Sequence, residues 1–433
     1  MKKDFLLKCD SAERLYLEYA RDLPIIDYHN HVCVKDVIEN RKFDNVYELW
    51  LASDPYKHRL MRISGIDEHF ITGNAEPYEK FEKFCEIFPC LAGNPVFDWA
   101  KMELDHVFGI DVIPSKENAR YIYDTCGEML RGEDYRNNAI LQKFNIEYSA
   151  PVVSLLDDIS GFKSKSFAPS LRGDNLLAPN EETLRGIEAM TGKKISDTAS
   201  YISAVAVILD RLSDVGCSVA DHALDTGFLE SRENEGEKEI LTLLAGEYAK
   251  RGWTMLLHLN ASRKTSSRLR DLAGPFGGFA AAGECVSITA LTSLLDRMES
   301  SSGLPNTVLF SLNMSDFAPL SILQGSFSEC GIPSKVQLGP AWWWCDHALG
   351  IENALGAVSS FGVLSEFIGM TTDSRSILSF VRHDYFRRIL CTWIDRQNRE
   401  MCWGLGECDL GRIIKKICYE NAREKIITKE KRK

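Results

Sequence analysis

Two histidines near the amino terminus, His29 and His31, have the spacing of metal ligands. They follow an apolar run from Pro24 to Ile26 that predicts a buried strand. Side chains two residues apart on a strand point to the same face, and their Cα atoms are about 7 Å apart. Two imidazoles placed in this way can bind one zinc ion at Zn–N distances of about 2.0–2.1 Å. A divalent metal site is therefore the favoured interpretation; the alternative is two unrelated histidines, one of them hydrogen-bonded in the core.

A second cluster of residues that could take part in catalysis follows the last apolar run of the chain, residues 367–371. Asp373 could complete a metal site from the opposite side of a barrel, and its alternative role is a helix N-cap. Arg375 could reach the same pocket, where a guanidinium stabilises developing negative charge or binds a carboxylate through two parallel bonds. Its alternative is a surface salt bridge. The run Trp342-Trp343-Trp344 could stack against a sugar face or simply pack in the core.

These residues lie at the ends of short apolar runs that alternate with helical patterns. Eight runs predict strands: Leu23–His29, Ile146–Val153, Lys165–Pro169, Cys217–Asp221, Thr254–Leu259, Thr307–Leu312, Lys335–Leu338 and Phe367–Thr371. Helical patterns cover Glu181–Met190, Ser196–Val215, Glu235–Lys250, Glu284–Glu299 and Gly350–Ser360. Such alternation predicts an α/β fold with a parallel sheet, and eight units fit a closed (β/α)8 TIM barrel.

The interval between the first two predicted strands is long, helical in pattern and without a strand signal. We therefore expect a barrel domain formed by residues 1–33 and 145–433, with residues 34–144 as a helical insertion subdomain after strand 1. In such barrels the active-site residues lie at the carboxyl ends of the strands and in the loops that follow them. That rule selects one set of polar and aromatic residues: His29, His31, Arg172, Asp221, His222, His258, Trp342, Trp343, Trp344, Asp373 and Arg375.

Composition indicates an acidic globular protein that acts on a small molecule. The 433 residues carry 51 Lys+Arg against 62 Asp+Glu, a formal charge of −11, which argues against nucleic acid or an anionic membrane as partner. No apolar run approaches the roughly 18 residues of a membrane helix, and the amino terminus lacks the apolar core of a signal peptide. The 13 cysteines are scattered without a CxxC pair. Free thiols of a cytoplasmic protein are the expected state.

Motifs in order along nearly the whole chain resemble the uronate isomerase (glucuronate isomerase) family of the amidohydrolase superfamily. They are Asp27-Tyr28-His29-Asn30-His31, Arg41-Lys42-Phe43-Asp44-Asn45, Glu48-Leu49-Trp50-Leu51, Tyr56-Lys57, Ala92-Gly93-Asn94-Pro95, Asp221-His222, Ala341-Trp342-Trp343, Thr372-Asp373-Ser374-Arg375 and the stretch from Arg382 to Arg388. Because so many motifs occur in register, the resemblance is far more specific than any one of them.

The resemblance implies a (β/α)8 barrel and aldose–ketose isomerisation of hexuronic acids, D-glucuronate to D-fructuronate and D-galacturonate to D-tagaturonate. It implies a divalent metal, commonly zinc, on His29, His31 and Asp373, with Asp373 as the base at C2. Arg375 and Tyr56 would assist the proton transfers. Arg172, Trp343 and Arg375 would bind the substrate, with Arg172 holding its C6 carboxylate. The family also suggests a homo-oligomer.

Several positions depart from the family pattern. Pro55 replaces the usual histidine before the motif tyrosine, His58 replaces a tryptophan, and Cys345 lies in a loop that normally reads Trp-Trp-Phe-Asn-Asp. These changes bear on which uronate is preferred more than on the chemistry. Two alternatives stay open: another metal-dependent hydrolase of the superfamily, to which His222 and His258 could contribute ligands, and a sugar-acid-binding paralogue of reduced activity.

Overall fold

The computed structural model describes residues 4–164, 166–274 and 277–427. Within them the strands are β1 Ile25–Asn30, β2 Ile146–Ser154, β3 Ser170–Arg172, β4 Val219–Leu224, β5 Thr254–Leu259, β6 Ala261–Ser262, β7 Ala281–Ala282, β8 Asn306–Ser311 and β9 Val336–Leu338. The α-helices are α1 Asp10–Tyr19, α2 Val34–Ile38, α3 Val46–Trp50, α4 Pro55–Ile63, α5 Pro77–Ile87, α6 Pro95–Phe108, α7 Ala119–Leu130, α8 Asn137–Gln142, α9 Asp174–Leu177, α10 Glu181–Thr191, α11 Thr198–Asp214, α12 Glu235–Lys250, α13 Ser267–Ala273, α14 Ile288–Ser301, α15 Phe317–Ser326, α16 Ala348–Phe361, α17 Val381–Glu400 and α18 Glu407–Lys415.

Seven strands form one curled parallel sheet in the order β1-β2-β3-β4-β5-β8-β9, and β6 pairs with β7 in a separate antiparallel ribbon. Strand order follows chain order, and helices lie between most successive strands, whereas β2 is followed by β3 with no helix between them. All six residues of β5 are buried, as expected for a parallel strand covered on both faces. The predicted α/β class with a parallel sheet is confirmed, and the five predicted helices are present as α10, α11, α12, α14 and α16.

The third strand lies later than predicted. The prediction was residues 165–169, whereas β3 covers Ser170–Arg172; Lys165 itself is outside the described residues. Phe167 forms an isolated parallel bridge with Ser149 in the same register, eighteen residues apart, that β3 has with β2. Pro169 lies between the two paired stretches and has no N–H to donate, which explains the interruption of the ladder.

The eighth predicted strand, residues 367–371, is wrong as a strand: no β-ladder is assigned to these described residues. The segment lies between β9 and β1, and side chains hold it there. The backbone N–H of Ile368 donates to Gln337 Oε1 (2.9 Å), and the Tyr28 hydroxyl donates to the Gly369 carbonyl (3.1 Å). Gly369 has φ +81°, and a Cβ there would lie 2.0 Å from the Ile417 carbonyl oxygen. This left-handed backbone prevents a regular strand, and only glycine fits.

Between β1 and β2 the chain forms the seven helices α2–α8. Helix α4 is fixed at its first turn, where Asp54 accepts the N–H groups of Tyr56 and Lys57 and Pro55 occupies the first helical position. Lys57 is buried and bonds to Asp54 (2.7 Å) and to Glu103 of α6 (3.1 Å). A buried ammonium with two carboxylate partners is costly to break, so α4 holds Tyr56 in a fixed position. None of the described helices is long and apolar enough to cross a membrane.

Protonation of His58 should destabilise the fold in acid. Burial lowers the pKa of His58 on α4 to about 4, and nearby Asp54 opposes this only in part. The folded chain therefore disfavours charged His58, so its contribution to stability is complete above the unfolded pKa of about 6.5 and declines as the pH falls toward 4. We expect this site to reduce the free energy of unfolding by about 3 kcal/mol between pH 7 and pH 4.

Urea unfolding at several pH values measures this effect. The variant His58→Met should lose that part of the pH dependence, whereas His69→Gln, at an exposed histidine, should keep it. An identical pH dependence in His58→Met and the wild type would contradict the prediction.

Candidate active site

One cavity, of about 590 Å³, lies at the carboxyl ends of the sheet strands. It collects every residue to which the sequence assigned a catalytic, substrate-binding or metal-binding role: His29, His31, Tyr56, Arg172, Trp343, Asp373 and Arg375. They come from β1, α4, β3 and the segments that follow β9 and residue 367, so they are distant in sequence. A cavity of this size suits a small ligand of the dimensions of a sugar acid.

Three predicted ligands converge on one point in this cavity. Nε2 of His29 and Nε2 of His31 lie 3.2 and 3.1 Å from Oδ1 of Asp373. Ligand atoms of a tetrahedral zinc site, each about 2.0–2.1 Å from the ion, lie about 3.3 Å apart. Both ring nitrogens of the buried His29 lack a hydrogen-bond partner among the described residues, although each lies close to a carboxylate. Two imidazoles and one carboxylate so placed fit a divalent cation.

Asp27 attaches the segment carrying Asp373 to β1. This fully buried carboxylate accepts the backbone N–H of Thr372 (2.7 Å) and the hydroxyls of Thr371 and Thr372 (3.0 and 2.9 Å). His383 Nε2 lies 3.0 Å from Asp27 Oδ1 and ties α17 to the same point. The side chain of Asp27 thus replaces the missing β-ladder and positions Asp373 against the two histidines.

Asp373 itself has an uncommon backbone conformation, with φ +47°. Its N–H donates to the His29 carbonyl (3.1 Å), and His31 N–H donates to the Ser374 carbonyl (2.8 Å). The indole N–H of Trp342 donates to Asp373 Oδ2. Left-handed φ values outside glycine are uncommon, and strained ones cluster at functional sites. Here the conformation points one carboxylate oxygen at the histidines and the other at the indole.

A second group of candidate ligands shares His29. Asp221 Oδ1 lies 4.0 Å from His29 Nδ1, and Asp221 Oδ2 lies 3.7 Å from His258 Nδ1. All three side chains are buried, and both ring nitrogens of His258 lack hydrogen-bond partners among the described residues. Sequence placed Asp221 and His258 at strand ends, named His258 as a ligand only in the alternative of a metal-dependent hydrolase, and gave Asp221 no specific role.

The electrostatics of the site favour a cation at His29. Burial lowers its pKa, but Asp221 and Asp373 outweigh this and the net direction is upward. For Asp373, burial acts in the opposite direction and raises the pKa. The neighbouring His29 and His31 outweigh burial and hold the pKa of Asp373 well below its usual range, so the carboxylate is ionised. His258 differs, since burial and the neighbouring His29 hold its pKa well below normal and the ring stays neutral. Neutral imidazole and ionised carboxylate are the forms that ligate metals.

Arg172, the expected carboxylate ligand, is already paired on two sides. Its Nε donates to Asp174 Oδ2 and one terminal nitrogen donates to Asp221 Oδ2, both at 2.7 Å. The side chain is 25% exposed and lines the cavity. These two bonds fix the plane of the guanidinium, and no hydrogen bond to another described residue is assigned to its second terminal nitrogen.

Aromatic residues form one wall of the cavity. Trp343 stacks on Trp344 at 4.7 Å between ring centroids and has φ +49°, which is rare for a bulky residue. Tyr56 packs edge-on against Trp344 (5.2 Å). Among the positions that depart from the family pattern, Pro55 lines the cavity. His58 and Cys345 are buried, and neither is among the described lining residues.

Comparison with known proteins identifies the relatives of this chain. The sequence profile of the family described as glucuronate isomerase matches residues 1–242 and 231–425. The chain belongs to this family. A uronate isomerase of Caldicellulosiruptor saccharolyticus is 37% identical, with 98% of both chains covered, and one of Oceanobacillus iheyensis is 35% identical over 98% of this chain and 97% of the relative.

Solved structures of the family share the fold of this chain. A uronate isomerase from Thermotoga maritima superposes with a TM-score of 0.89 at 23% identity, covering 98% of this chain and 99% of the other. A glucuronate isomerase from Caulobacter crescentus gives 0.86 at 22% identity, covering 99% and 97%. The full length of this family member is therefore matched, including the helices between β1 and β2.

Proposed function

We propose that the chain is a metal-dependent uronate isomerase that interconverts hexuronates and their ketoses, D-glucuronate with D-fructuronate and D-galacturonate with D-tagaturonate. The observation that carries the proposal is the convergence of His29, His31 and Asp373 in a cavity that also contains Tyr56 and Arg375. Family membership supports the same reaction, since the relatives that match over their full length are named uronate isomerases.

His29, His31 and Asp373 would hold the divalent cation, for which we propose zinc. When bound, such an ion polarises a carbonyl or hydroxyl oxygen of the substrate as a Lewis acid. The donor set of two imidazoles and a carboxylate suits zinc and leaves coordination positions for substrate oxygens. Trp342 would keep the carboxylate of Asp373 in orientation through its indole N–H.

Asp373 would carry the proton from C2 to C1. Its carboxylate is ionised, which is the form that can accept a proton. The hydroxyl proton at O2 must also leave and a proton must arrive at O1, and Tyr56, which lines the cavity, would make this exchange. Arg375 would stabilise the negative charge that develops on the substrate oxygens. No electron is transferred to an external acceptor, so the reaction requires no redox cofactor.

Arg172, Arg375 and Trp343 would bind the substrate. The fixed guanidinium of Arg172 would receive the C6 carboxylate on its remaining terminal nitrogen, and the strained Trp343 would pack against the sugar. The acidic chain can accept this anion because the arginines and the cation lie together in the pocket. A net charge of −11 is spread over the whole surface and does not determine the local potential.

We also propose how the remaining parts of the chain are organised. Residues 367–374 would act as the eighth element that closes the curled sheet into a (β/α)8 barrel. Side-chain bonds join this segment to β9 and β1, and backbone bonds at residues 373 and 374 join it to His29 and His31. Residues 1–33 and 145–433 would then form the barrel and residues 34–144 the helical insertion. We expect a homo-oligomer, as the resemblance implies, and a cytoplasmic location, which the 13 free cysteines support.

One experiment tests the proposed reaction directly. The metal-loaded protein is incubated with D-glucuronate, and separately with D-galacturonate, in deuterated water and followed by NMR. We expect ketose signals, with deuterium only at the position that receives the transferred proton, and no ketose after chelation. Failure to form ketose from either uronate would overturn the proposal; binding without turnover would then indicate a sugar-acid-binding paralogue.

A further inference from the structure

Behind Tyr56, away from the cavity, lies a buried aspartate–arginine pair that the proposed reaction does not yet use. The Tyr56 hydroxyl donates to Asp346 Oδ2 (3.2 Å), and a terminal nitrogen of Arg382 donates to the same oxygen (3.1 Å). Asp346 is 3% exposed and Arg382 1%. Neither is among the described residues that line the cavity, whereas Tyr56 lines it and bonds directly to Asp346.

The surroundings leave the phenol ring little freedom. Arg382 lies over one face of Tyr56 at 4.4 Å and also over Trp99 at 4.0 Å. Trp99 and Trp344 pack edge-on against the ring at 5.6 and 5.2 Å. The first turn of α4 fixes the backbone of Tyr56, as described above. With the ring held in place, the hydroxyl proton of Tyr56 can still rotate, and its hydrogen bond to Asp346 sets the direction in which it points.

We propose that Asp346 is a positioning residue and the inner end of a two-residue proton relay that works through Tyr56. When a substrate hydroxyl gives its proton to the Tyr56 oxygen, the phenolic proton passes to the Asp346 carboxylate. The relay then runs in reverse when the proton is delivered to the other substrate oxygen. Two O–H bonds break and two form in each direction, and no charge accumulates on the phenol. This inference rests on the proposed isomerase function.

The electrostatics support such a relay. Burial raises the pKa of Asp346 to about 7, while Arg382 and the Tyr56 bond oppose the rise. A carboxyl with this pKa can accept and release a proton near neutral pH. Burial and the charge of Asp346 also raise the pKa of Tyr56 well above its ordinary value, so the phenol passes protons on without ionising. Arg382 additionally bonds to the Thr372 carbonyl (3.4 Å), next to Asp373, and so links the relay to the proposed base.

The chain contains a comparable triad, none of whose residues is among the described residues that line the cavity. Tyr16 donates to Asp384 (2.6 Å), Arg388 donates to Asp384 (2.9 Å), and Arg388 lies over the Tyr16 ring at 4.4 Å. The residue types are those of Tyr56, Asp346 and Arg382 and the contacts are similar, although Asp384 is 33% exposed and Arg388 also donates to the Tyr16 hydroxyl (2.9 Å). Asp384→Asn therefore controls for the structural cost of removing a carboxylate from such a cluster.

The test is a double-mutant cycle with Tyr56→Phe and Asp346→Asn on the metal-loaded protein, with kcat and KM for D-glucuronate measured separately. We expect each single variant to lose about 100-fold in kcat with little change in KM, and the double variant to be no slower than Tyr56→Phe. Asp384→Asn should stay within about twofold of wild-type kcat. Additive losses in the double variant, or wild-type kcat in Asp346→Asn, would overturn the relay.

A second variant covers the case in which Asp346→Asn does not fold. Asp346→Glu keeps a negative charge opposite Arg382 but moves the carboxylate by one methylene. Its loss of kcat should likewise disappear in the Tyr56→Phe background; persistence of that loss counts against the relay. Wild-type protein without turnover on any uronate would instead refute the proposed function, so the two failures are distinguishable.

Discussion

Asp373→Asn should reduce kcat by at least about 1,000-fold and leave the fold intact. The carboxylate is the only described group that lies both against the two histidines and at the cavity surface, and it is ionised at neutral pH. Asparagine has nearly the same shape but cannot accept the C2 proton, and general acid–base catalysis contributes about 10²–10⁴-fold. The loss of one charged ligand adds to this effect. Steady-state kinetics with D-glucuronate, together with thermal unfolding, measures both parts.

The matched control for this variant is Asp225→Asn. Asp225 also lines the cavity but pairs with Arg263 and belongs to neither candidate ligand group. We expect this second variant to lose less than about tenfold, because removing one rim carboxylate changes substrate binding more than chemistry. Equal losses in the two variants, or near-normal turnover in Asp373→Asn, would show that Asp373 is not the base.

The sequence alone predicted that His29, His31 and Asp373 lie close together, because local sequence patterns place each of them at the end of an apolar run. The spacing of His29 and His31 at the end of an apolar strand predicts two imidazoles on one face, and they do lie together. Asp373 follows the last apolar run, and its Oδ1 lies 3.2 and 3.1 Å from Nε2 of His29 and of His31. Strand ends of a parallel sheet meet at one edge, so these two signals needed no knowledge of register.

The contacts of Arg172 could not be predicted because they depend on register. Arg172 pairs directly across the sheet from Asp221, which brings the guanidinium and the carboxylate together. Sequence placed the third strand at 165–169, too early for this pairing. Pro169 is the cause, since it lies inside an extended stretch yet interrupts its hydrogen bonds. An error of a few residues in a strand boundary thus conceals a charge pair of the active site.

The relay behind Tyr56 was hidden for a different reason. Tyr56, Asp346 and Arg382 come from α4, the loop after β9 and α17, and no periodic pattern relates these elements. Asp346 follows a 3₁₀ turn, Trp343–Cys345, that begins with a left-handed tryptophan. Such turns have weak sequence signals, and tertiary packing decides them. Residues 367–374 are a similar case, since side-chain bonds from Asp27 and Gln337, together with backbone bonds at residues 373 and 374, hold this segment without a regular β-ladder.

Zinc binding by two histidine variants distinguishes between the two groups of candidate ligands. His31→Gln should lower the affinity for zinc by more than about 100-fold, the upper end of what outer residues of a metal site contribute. His258→Gln should retain about one zinc per chain. The difference follows from geometry: His31 Nε2 lies 3.1 Å from Asp373 Oδ1, the spacing of neighbouring ligands, whereas His258 Nδ1 lies 3.7 Å from Asp221, a carboxylate already bonded to Arg172.

Metal content by mass spectrometry and thermal unfolding with and without zinc measure the two variants. Zinc at about 1,000 times its dissociation constant should raise the free energy of unfolding of the wild type and of His258→Gln by about 4 kcal/mol, because it binds only the folded chain. His31→Gln should gain almost none of this. The opposite result, retention of zinc by His31→Gln and its loss from His258→Gln, would place the cation in the group of His29, Asp221 and His258. Asp373 would then be free of the metal, and the proton transfer would have to be assigned to it alone.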